Sequence, residues 1–163
     1  MDAKNRFDTK VTFALIRIEY LLFIFVILYF LSIHYSEVRW GHFVIFFVII
    51  DVIGYLPGAI AFRYSKTKRI SFMYYISYNF THSFITILAV SLLWCLWIGP
   101  EWALLAMPLH LCGDRALFGN FIKPFATFFE PSPHPAFSKF SSELSLLDIN
   151  SEAEKGVRHV EKR

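Results

Sequence analysis

The chain has 163 residues, of which 56% are hydrophobic and 19% aromatic, and its net charge is only +3. This composition is too apolar for an ordinary soluble domain and indicates one membrane-embedded domain. The basic residues lie in short clusters beside apolar runs, not in a stripe interleaved with exposed aromatic residues, which argues against nucleic acid as a partner.

Four apolar segments are long enough to cross a bilayer, which takes about 20 residues of helix. They cover residues 13–33, 41–61, 71–97 and 102–119. The first segment is too long for the apolar part of a signal peptide and lacks a small-residue cleavage site, so we interpret it as a span. The expected fold is an all-α polytopic membrane protein with an N-terminal arm (1–12), a four-helix transmembrane domain (13–119) and a tail (120–163).

Lysine and arginine are concentrated on one side of these four segments. The N-terminal arm, the second loop and the tail are rich in them, whereas the first loop has only Arg39 and the third has none. All four tryptophans, which prefer membrane interfaces, then fall at the opposite boundary: Trp40, Trp94, Trp97 and Trp102. The sequence therefore predicts a multi-pass protein of the cell membrane with both termini in the cytoplasm.

The tail has a different composition from the spans. Pro124, Pro131, Pro133 and Pro135 oppose helix formation, so residues 123–137 are expected to be extended and folded back on the membrane through Phe125, Phe128 and Phe129. A short amphipathic helix is predicted for residues 141–147, and the charged end is expected to be disordered.

Each predicted helix places polar side chains in the half of the membrane nearest the cytoplasm, whereas the outer halves of the spans offer only scattered hydroxyl groups. Ionisable groups at this depth cost at least a few kcal/mol each and therefore indicate a functional site. The set is Arg17 and Glu19 in the first helix, Asp51 and Tyr55 in the second, Tyr78, Asn79 and His82 in the third, and His110, Asp114 and Arg115 in the fourth. A polar cavity open toward the cytoplasmic leaflet explains this distribution most simply.

Four of these residues have the side chains that catalysis needs: Asp51, His82, His110 and Asp114. Two histidines and two carboxylates suit acid-base chemistry, and they could equally hold a divalent metal ion with a coordination position left for water. The other polar residues are assigned to substrate binding: Arg17, Glu19, Tyr55, Asn79 and Arg115. A buried polar network that only fixes the register of the helices stays open as the alternative.

A break in the second helix is expected beside this site. Gly54, Pro57 and Gly58 oppose a regular helix, and a kink there would let backbone carbonyls line the cavity. A plain kink at the membrane interface is the alternative.

The order of these motifs resembles a known family. Arg17-x-Glu19, Asp51-x3-Tyr55 followed by Gly58, Tyr78-Asn79-x2-His82-Ser83 and His110-x3-Asp114-Arg115 together resemble small four-helix bacterial membrane proteins of unknown function, the DUF4260 type. The resemblance covers residues 14–123 and implies a fold and a bacterial inner membrane, without an activity. The family's Gly-Tyr-Gly-Leu-Lys appears here only as Gly119-Asn-Phe-Ile-Lys123, one residue late.

Three hypotheses remain open from the sequence. The first is an intramembrane enzyme that acts on a lipid or isoprenoid-like substrate by acid-base or metal-assisted chemistry. Asn79-Phe-Thr-His82-Ser83 resembles the Thr-His-Ser stretch of some membrane-bound metal-dependent hydrolases. The second is a binding or transport protein for protons or a small solute, and the third is a membrane subunit with a structural polar network. Membrane lipids are the expected partners, and a homo-oligomer is compatible with all three.

Overall fold

A computed structural model of the protein describes residues 10–125, 127–130, 136–140, 142, 143 and 146, and all regular structure in these residues is helical. The chain divides into two units, Met1–Phe129 and Glu130–Arg163. The first unit contains the apolar helices and all the predicted site residues.

The first two candidate membrane spans agree closely with the sequence pattern. Helix α1 covers Lys10–Ile33, and α2 (Trp40–Gly54) continues into α3 (Leu56–Tyr64). Val11–Ile33 and Trp40–Tyr64 are both long and apolar enough to cross a membrane, each with a mean hydropathy of 2.3. A 3-10 turn, Tyr35–Glu37, lies between α1 and α2.

The junction of α2 and α3 is a local disruption at Tyr55. The Tyr55 N–H still donates to the Asp51 carbonyl oxygen at 2.9 Å, as in a continuous helix. Pro57 stands in the first turn of α3 and has no N–H for the Ile53 carbonyl oxygen four residues earlier, which accepts from the Ser77 hydroxyl at 2.9 Å instead. The proline and glycines of this segment therefore mark the place where one helix gives way to the next.

The third predicted span is broken in the middle. Helix α4 covers Phe72–Thr81 and α5 covers Phe84–Trp97, and their axes are bent by 58°. The Thr81 hydroxyl bonds back to carbonyl oxygens of its own helix, Ser77 and Tyr78, each at 3.1 Å, and such bonds bend helices. Counted as one bent span, α4 and α5 raise the number of candidate spans from two to three.

The fourth predicted segment consists of three short, consecutive helical elements of different type. A 3-10 turn (Trp102–Leu105) leads into α6 (Ala106–Gly113), and a π-helix (Asp114–Phe118) follows. Gly119 ends this run with a φ of +70°, a left-handed conformation that favours glycine. The α6 segment packs against α1, α2 and α5, so it is the inner element of the bundle.

The core and the surface both fit a lipid environment. The main core joins α2, α5 and α6 through Phe46, Ile50, Ile87, Met107 and Leu111, with Ala103 and Ala106 allowing close approach. Large apolar side chains cover the outside, for example Leu22, Phe25, Ile85 and Leu96, which are 61–82% exposed. Such a surface is stable in lipid, so the apolar helices are membrane-embedded.

The chain after Gly119 returns along α3 and α4. We call residues 120–125 and 127–129 the strap. Its Phe125 contacts Phe72 with ring centroids 4.4 Å apart, and Phe129 is fully buried against Tyr55 and Tyr75.

In the second unit, residues 136–140 are helical, and Lys139 pairs with Glu143 at 3.9 Å. Phe137 is therefore helical, although the sequence predicted an extended chain up to this residue. The helix predicted for 141–147 falls only partly within the described residues, of which 142, 143 and 146 are helical. The expected disorder of the charged end lies outside them.

Candidate metal centre

Four side chains, each from a different element of the bundle, meet at one point. Asp51 comes from α2, His82 from the break between α4 and α5, His110 from α6 and Asp114 from the start of the π-helix. Nε2 of His82 lies 3.3 Å from Asp51 Oδ1 and 3.4 Å from Asp114 Oδ2. Nε2 of His110 lies 3.6 Å and 3.8 Å from the same two oxygens.

The helix break orients His82. Its Nδ1 lies 3.0 Å from the Tyr78 carbonyl oxygen and 3.0 Å from the Thr81 hydroxyl oxygen. A carbonyl oxygen only accepts hydrogen bonds, so Nδ1 carries the proton and Nε2 of a neutral ring offers its lone pair toward the two carboxylates. The Tyr78 ring stacks on the imidazole with centroids 3.9 Å apart and fixes the plane of the ring. A metal-binding histidine is usually held in this way by a bond from its second nitrogen.

Three ring nitrogens of the centre lack hydrogen bonds. Nε2 of His82 and both nitrogens of His110 are buried and form no hydrogen bond in the part of the chain that the structure describes. The ring of His110 packs edge-on against Phe47 at 4.8 Å. A buried polar group without a partner costs about 1–3 kcal/mol, so the missing bonds call for an explanation.

The distances fit a metal ion better than they fit a hydrogen-bond network. Hydrogen bonds between nitrogen and oxygen are typically about 2.7–3.2 Å long, shorter than all four separations here. In a tetrahedral zinc site with bonds of about 2.0–2.1 Å, neighbouring ligand atoms are about 3.3–3.4 Å apart. Asp51, His82 and His110 place three ligand atoms within 4.8 Å of one another, and Oδ2 of Asp114 lies 3.4 Å and 3.8 Å from the two imidazole nitrogens.

The centre has one open side. The side chains of His82 and His110 are each 5% exposed and that of Asp114 is 17% exposed, whereas that of Asp51 is 48% exposed. A ligand or a water molecule can therefore approach next to Asp51 while the imidazoles stay enclosed.

Gly54 allows α2 to come close enough to supply Asp51. A Cβ at position 54 would lie 1.9 Å from the Thr81 hydroxyl oxygen and 3.2 Å from Cε1 of His82. The first distance is too short for any Cβ and the second is tighter than an ordinary van der Waals contact, so glycine lets α2 cross the helix break this closely.

The predicted substrate-binding residues of α1 and the π-helix do not converge on the four donors. Arg17 donates to the carbonyl oxygens of Ala116 and Leu117 at 2.7 and 2.8 Å. It thus supplies hydrogen-bond donors to two carbonyl groups near the end of the π-helix. Glu19 is exposed on α1.

Arg115 has a role in holding the centre together. It donates to the Tyr20 hydroxyl at 2.8 Å and to the His82 carbonyl oxygen at 3.4 Å, and its guanidinium lies 4.4 Å from the ring centroid of Phe84. This side chain ties α1 and the π-helix to the helix break that carries His82.

Asn79 and Tyr55 lie beside the strap. Asn79 Nδ2 donates to the Lys123 carbonyl oxygen at 2.9 Å, and its Oδ1 accepts from the Lys123 N–H at 2.7 Å. The ring of Tyr55 packs against Phe129 with centroids 6.1 Å apart. Sequence reasoning missed the strap as part of this region, because its placement depends on contacts between residues far apart in the chain.

Sequence reasoning also missed a polar cluster at the other end of α2. Nearly buried Glu101 accepts from Arg39 Nε at 2.5 Å and lies 3.0 Å from His42 Nδ1. The expectation of hydroxyl groups alone in the outer half is thus wrong at His42. This residue stands only two positions into α2, where polar side chains are ordinary interface residues, so membrane depth did not select it.

A second polar contact near this cluster joins the turn after α1 to the start of the last segment. Glu37 Oε2 accepts from the Trp102 indole at 3.0 Å, and Glu37 Oε1 lies 3.0 Å from His34 Nδ1. The hydrogen bond with His34, followed by that from Trp102, holds the pKa of the Glu37 carboxyl below its usual range.

Comparison with known proteins yields no relative. No family model, no curated protein and no solved structure matches the chain. The resemblance to the DUF4260 type therefore stays a prediction, and the function has to be argued from the site alone. Chemically, the four donors can bind a divalent cation, and the half-exposed Asp51 side chain lies on the open side of the group.

Proposed function

We propose that this chain is a membrane-embedded metalloenzyme, a hydrolase whose centre consists of Asp51, His82, His110 and Asp114. The observation that carries the proposal is the set of four nitrogen–oxygen separations of 3.3–3.8 Å around unpartnered imidazole nitrogens. One divalent ion would bond to Nε2 of both histidines and to the two carboxylates at once.

The donor set favours zinc or a similar first-row ion. Two imidazole nitrogens and two carboxylate oxygens form a mixed site of the kind that holds zinc, and the two carboxylates balance its charge. Among the residues that the structure describes, the ligands gathered around Asp51 are histidine and aspartate side chains, and buried Cys112 is not one of them. The site is thus typical of oxygen and nitrogen ligation.

The protein's own groups support hydrolysis. When bound, such an ion lowers the pKa of coordinated water toward neutrality and polarises an ester group. The half-exposed Asp51 carboxylate stands where water enters, and its second oxygen can take a proton from that water. Tyr78 and Thr81 keep His82 in the ligating tautomer.

The membrane arrangement supports a lipid or isoprenoid-like substrate. In this proposal α1, α2–α3, α4–α5 and residues 102–118 are four spans, with both termini in the cytoplasm. Residues 102–118 form a continuous helical run of about 25 Å, close to the thickness of the hydrocarbon core. Asp51 lies eleven residues after Trp40 along α2, hence about 16 Å deep, so an amphiphile in the bilayer could reach it from the side.

The decisive experiment is metal binding by the purified protein. Wild type, Asp114→Asn, His110→Ala and His42→Ala are equilibrated with Zn²⁺, desalted and analysed for bound metal. His42→Ala is the matched control, because it removes a partly buried histidine of the outer cluster. We expect about one equivalent of zinc in wild type and the control, and a loss of at least tenfold in affinity in the other two variants.

Thermal unfolding of the same samples separates the alternatives. A folded wild type that binds no zinc, together with variants that unfold at lower temperature, would refute the proposal in favour of a structural polar network. Zinc-dependent release of product from a lipid ester, lost in Asp114→Asn, would complete the support.

A further inference from the structure

The strap places a cation beside Tyr78, the residue that stacks on His82 of the candidate metal centre. Asn79 holds the backbone of Lys123 through both its N–H and its carbonyl oxygen, at 2.7 and 2.9 Å. Further along, the Tyr75 hydroxyl donates to the Thr127 carbonyl oxygen at 2.8 Å. These bonds fix the strap against α4, the helix that ends at the His82 break.

The Lys123 side chain extends from this anchor toward the centre. Its ammonium donates to the Phe129 carbonyl oxygen at 2.6 Å and lies 4.7 Å from the ring centroid of Tyr78, the residue that stacks on His82. Lys123 and His82 thus contact the same Tyr78 ring, and Lys123 is not itself a metal ligand.

The charge of this group becomes positive when a metal binds. Asp51 and Asp114 carry two negative charges, and Lys123 and Arg115 carry two positive charges, so the empty group is neutral when both imidazoles are neutral. A divalent ion leaves the group with a net positive charge. An unbalanced charge at membrane depth is costly, so the loaded centre favours an anionic ligand.

We propose that Lys123 makes the centre specific for phosphodiesters, the linkage of phospholipid headgroups. This inference rests on the proposed metal site. A carboxylate supplies the negative charge without a bond to hydrolyse, and a carboxylic ester supplies the bond without the charge. A phosphodiester supplies both, and its tetrahedral oxygens can contact a metal ion and an ammonium together.

The implied reaction is redox-neutral. The oxygen of a water molecule forms a bond to phosphorus while the bond from phosphorus to one ester oxygen breaks. That oxygen leaves as an alcohol, with the proton taken from the water, and a phosphate monoester remains. Lys123 acts here as a substrate-binding residue that stabilises the charge on the phosphate.

The test uses full-length protein loaded with Co²⁺, whose visible spectrum reports on the ligands of the metal. Dibutyl phosphate is titrated into wild type, Lys123→Met, Lys123→Arg and Lys66→Met, with neutral tributyl phosphate as the control ligand. Lys66 is exposed in the loop between α3 and α4 and is the matched control. We expect dibutyl phosphate to change the spectrum of wild type and Lys66→Met, at least tenfold weaker binding to Lys123→Met, and near-normal binding to Lys123→Arg.

The outcomes separate this inference from the metal site itself. A wild type without a cobalt spectrum refutes the metal site before any phosphate is added. A normal cobalt spectrum with equal phosphate affinity in wild type and Lys123→Met, or equal binding of the neutral triester, overturns the role of Lys123 alone. Tighter binding of phosphatidylglycerol in detergent micelles than of inorganic phosphate supports a lipid headgroup, and the reverse order overturns that assignment.

Discussion

Replacing Gly54 with alanine tests whether the close crossing of α2 and the helix break builds the centre. The new methyl group would lie 1.9 Å from the Thr81 hydroxyl oxygen and 3.1 Å from Thr81 Cβ. Rotation of the hydroxyl would relieve the first contact only by giving up its bonds to the Ser77 and Tyr78 carbonyl oxygens. We therefore expect α2 to be pushed away from His82.

The expected loss of stability follows from a comparison with Gly41→Ala. Gly41 lies in the same helix, and nothing lies within 4 Å of a Cβ added there. Both substitutions gain the helix propensity of alanine, roughly 0.5–1 kcal/mol, and this gain cancels in the difference. What remains is the overpacking at Gly54, about 1–3 kcal/mol. For a chain of this size that corresponds to roughly 2–12 °C in melting temperature.

The assay is thermal unfolding in detergent together with zinc affinity. Gly54→Ala should melt below Gly41→Ala and bind zinc at least tenfold more weakly than wild type. The double variant Gly54→Ala/Thr81→Ala should recover part of the stability, because it removes the shortest contact. Equal melting and zinc affinity of the two single variants would refute the reasoning.

Two further predictions concern the strap and the outer cluster. Phe129→Ala should cost about 3–5 kcal/mol of stability, because this residue is fully buried, whereas Phe128→Ala should cost far less, because Phe128 is 47% exposed. Equal losses in thermal unfolding would mean that the strap is not anchored by Phe129. The lowered pKa of Glu37 means that its contribution to stability is present above the pKa of the unfolded chain and is lost as the pH falls through the folded value. The melting temperature should accordingly fall more steeply between pH 7 and pH 3 in wild type than in Glu37→Gln, and identical pH profiles would contradict this.

The residues of the centre could be selected from the sequence because ionisable side chains inside a membrane carry a high free-energy cost. Aspartate and histidine inside apolar helices are expensive, so Asp51, His82, His110 and Asp114 stand out without any knowledge of their contacts. Their spacing along each helix then predicted which of them could share a face. The structure adds their mutual distances, which no pattern within a single helix contains.

The remaining features depend on contacts between distant parts of the chain. The break at His82 arises from the bonds of the Thr81 hydroxyl to its own helix, and a threonine in an apolar run fits a straight helix equally well. The position of Lys123 depends on Asn79, 44 residues earlier. Arg17 and Arg115 were assigned to substrate because arginine binds anions, but here they donate to carbonyl oxygens that only the folded chain brings near.

The most direct test of the metal centre is X-ray absorption spectroscopy of the zinc-loaded protein, compared with His82→Ala. Our account predicts four nitrogen or oxygen neighbours at about 2.0–2.1 Å, with outer-shell scattering from two imidazole rings in wild type and from one in the variant. A sulfur neighbour at about 2.3 Å, or the same imidazole signal in wild type and His82→Ala, would contradict it.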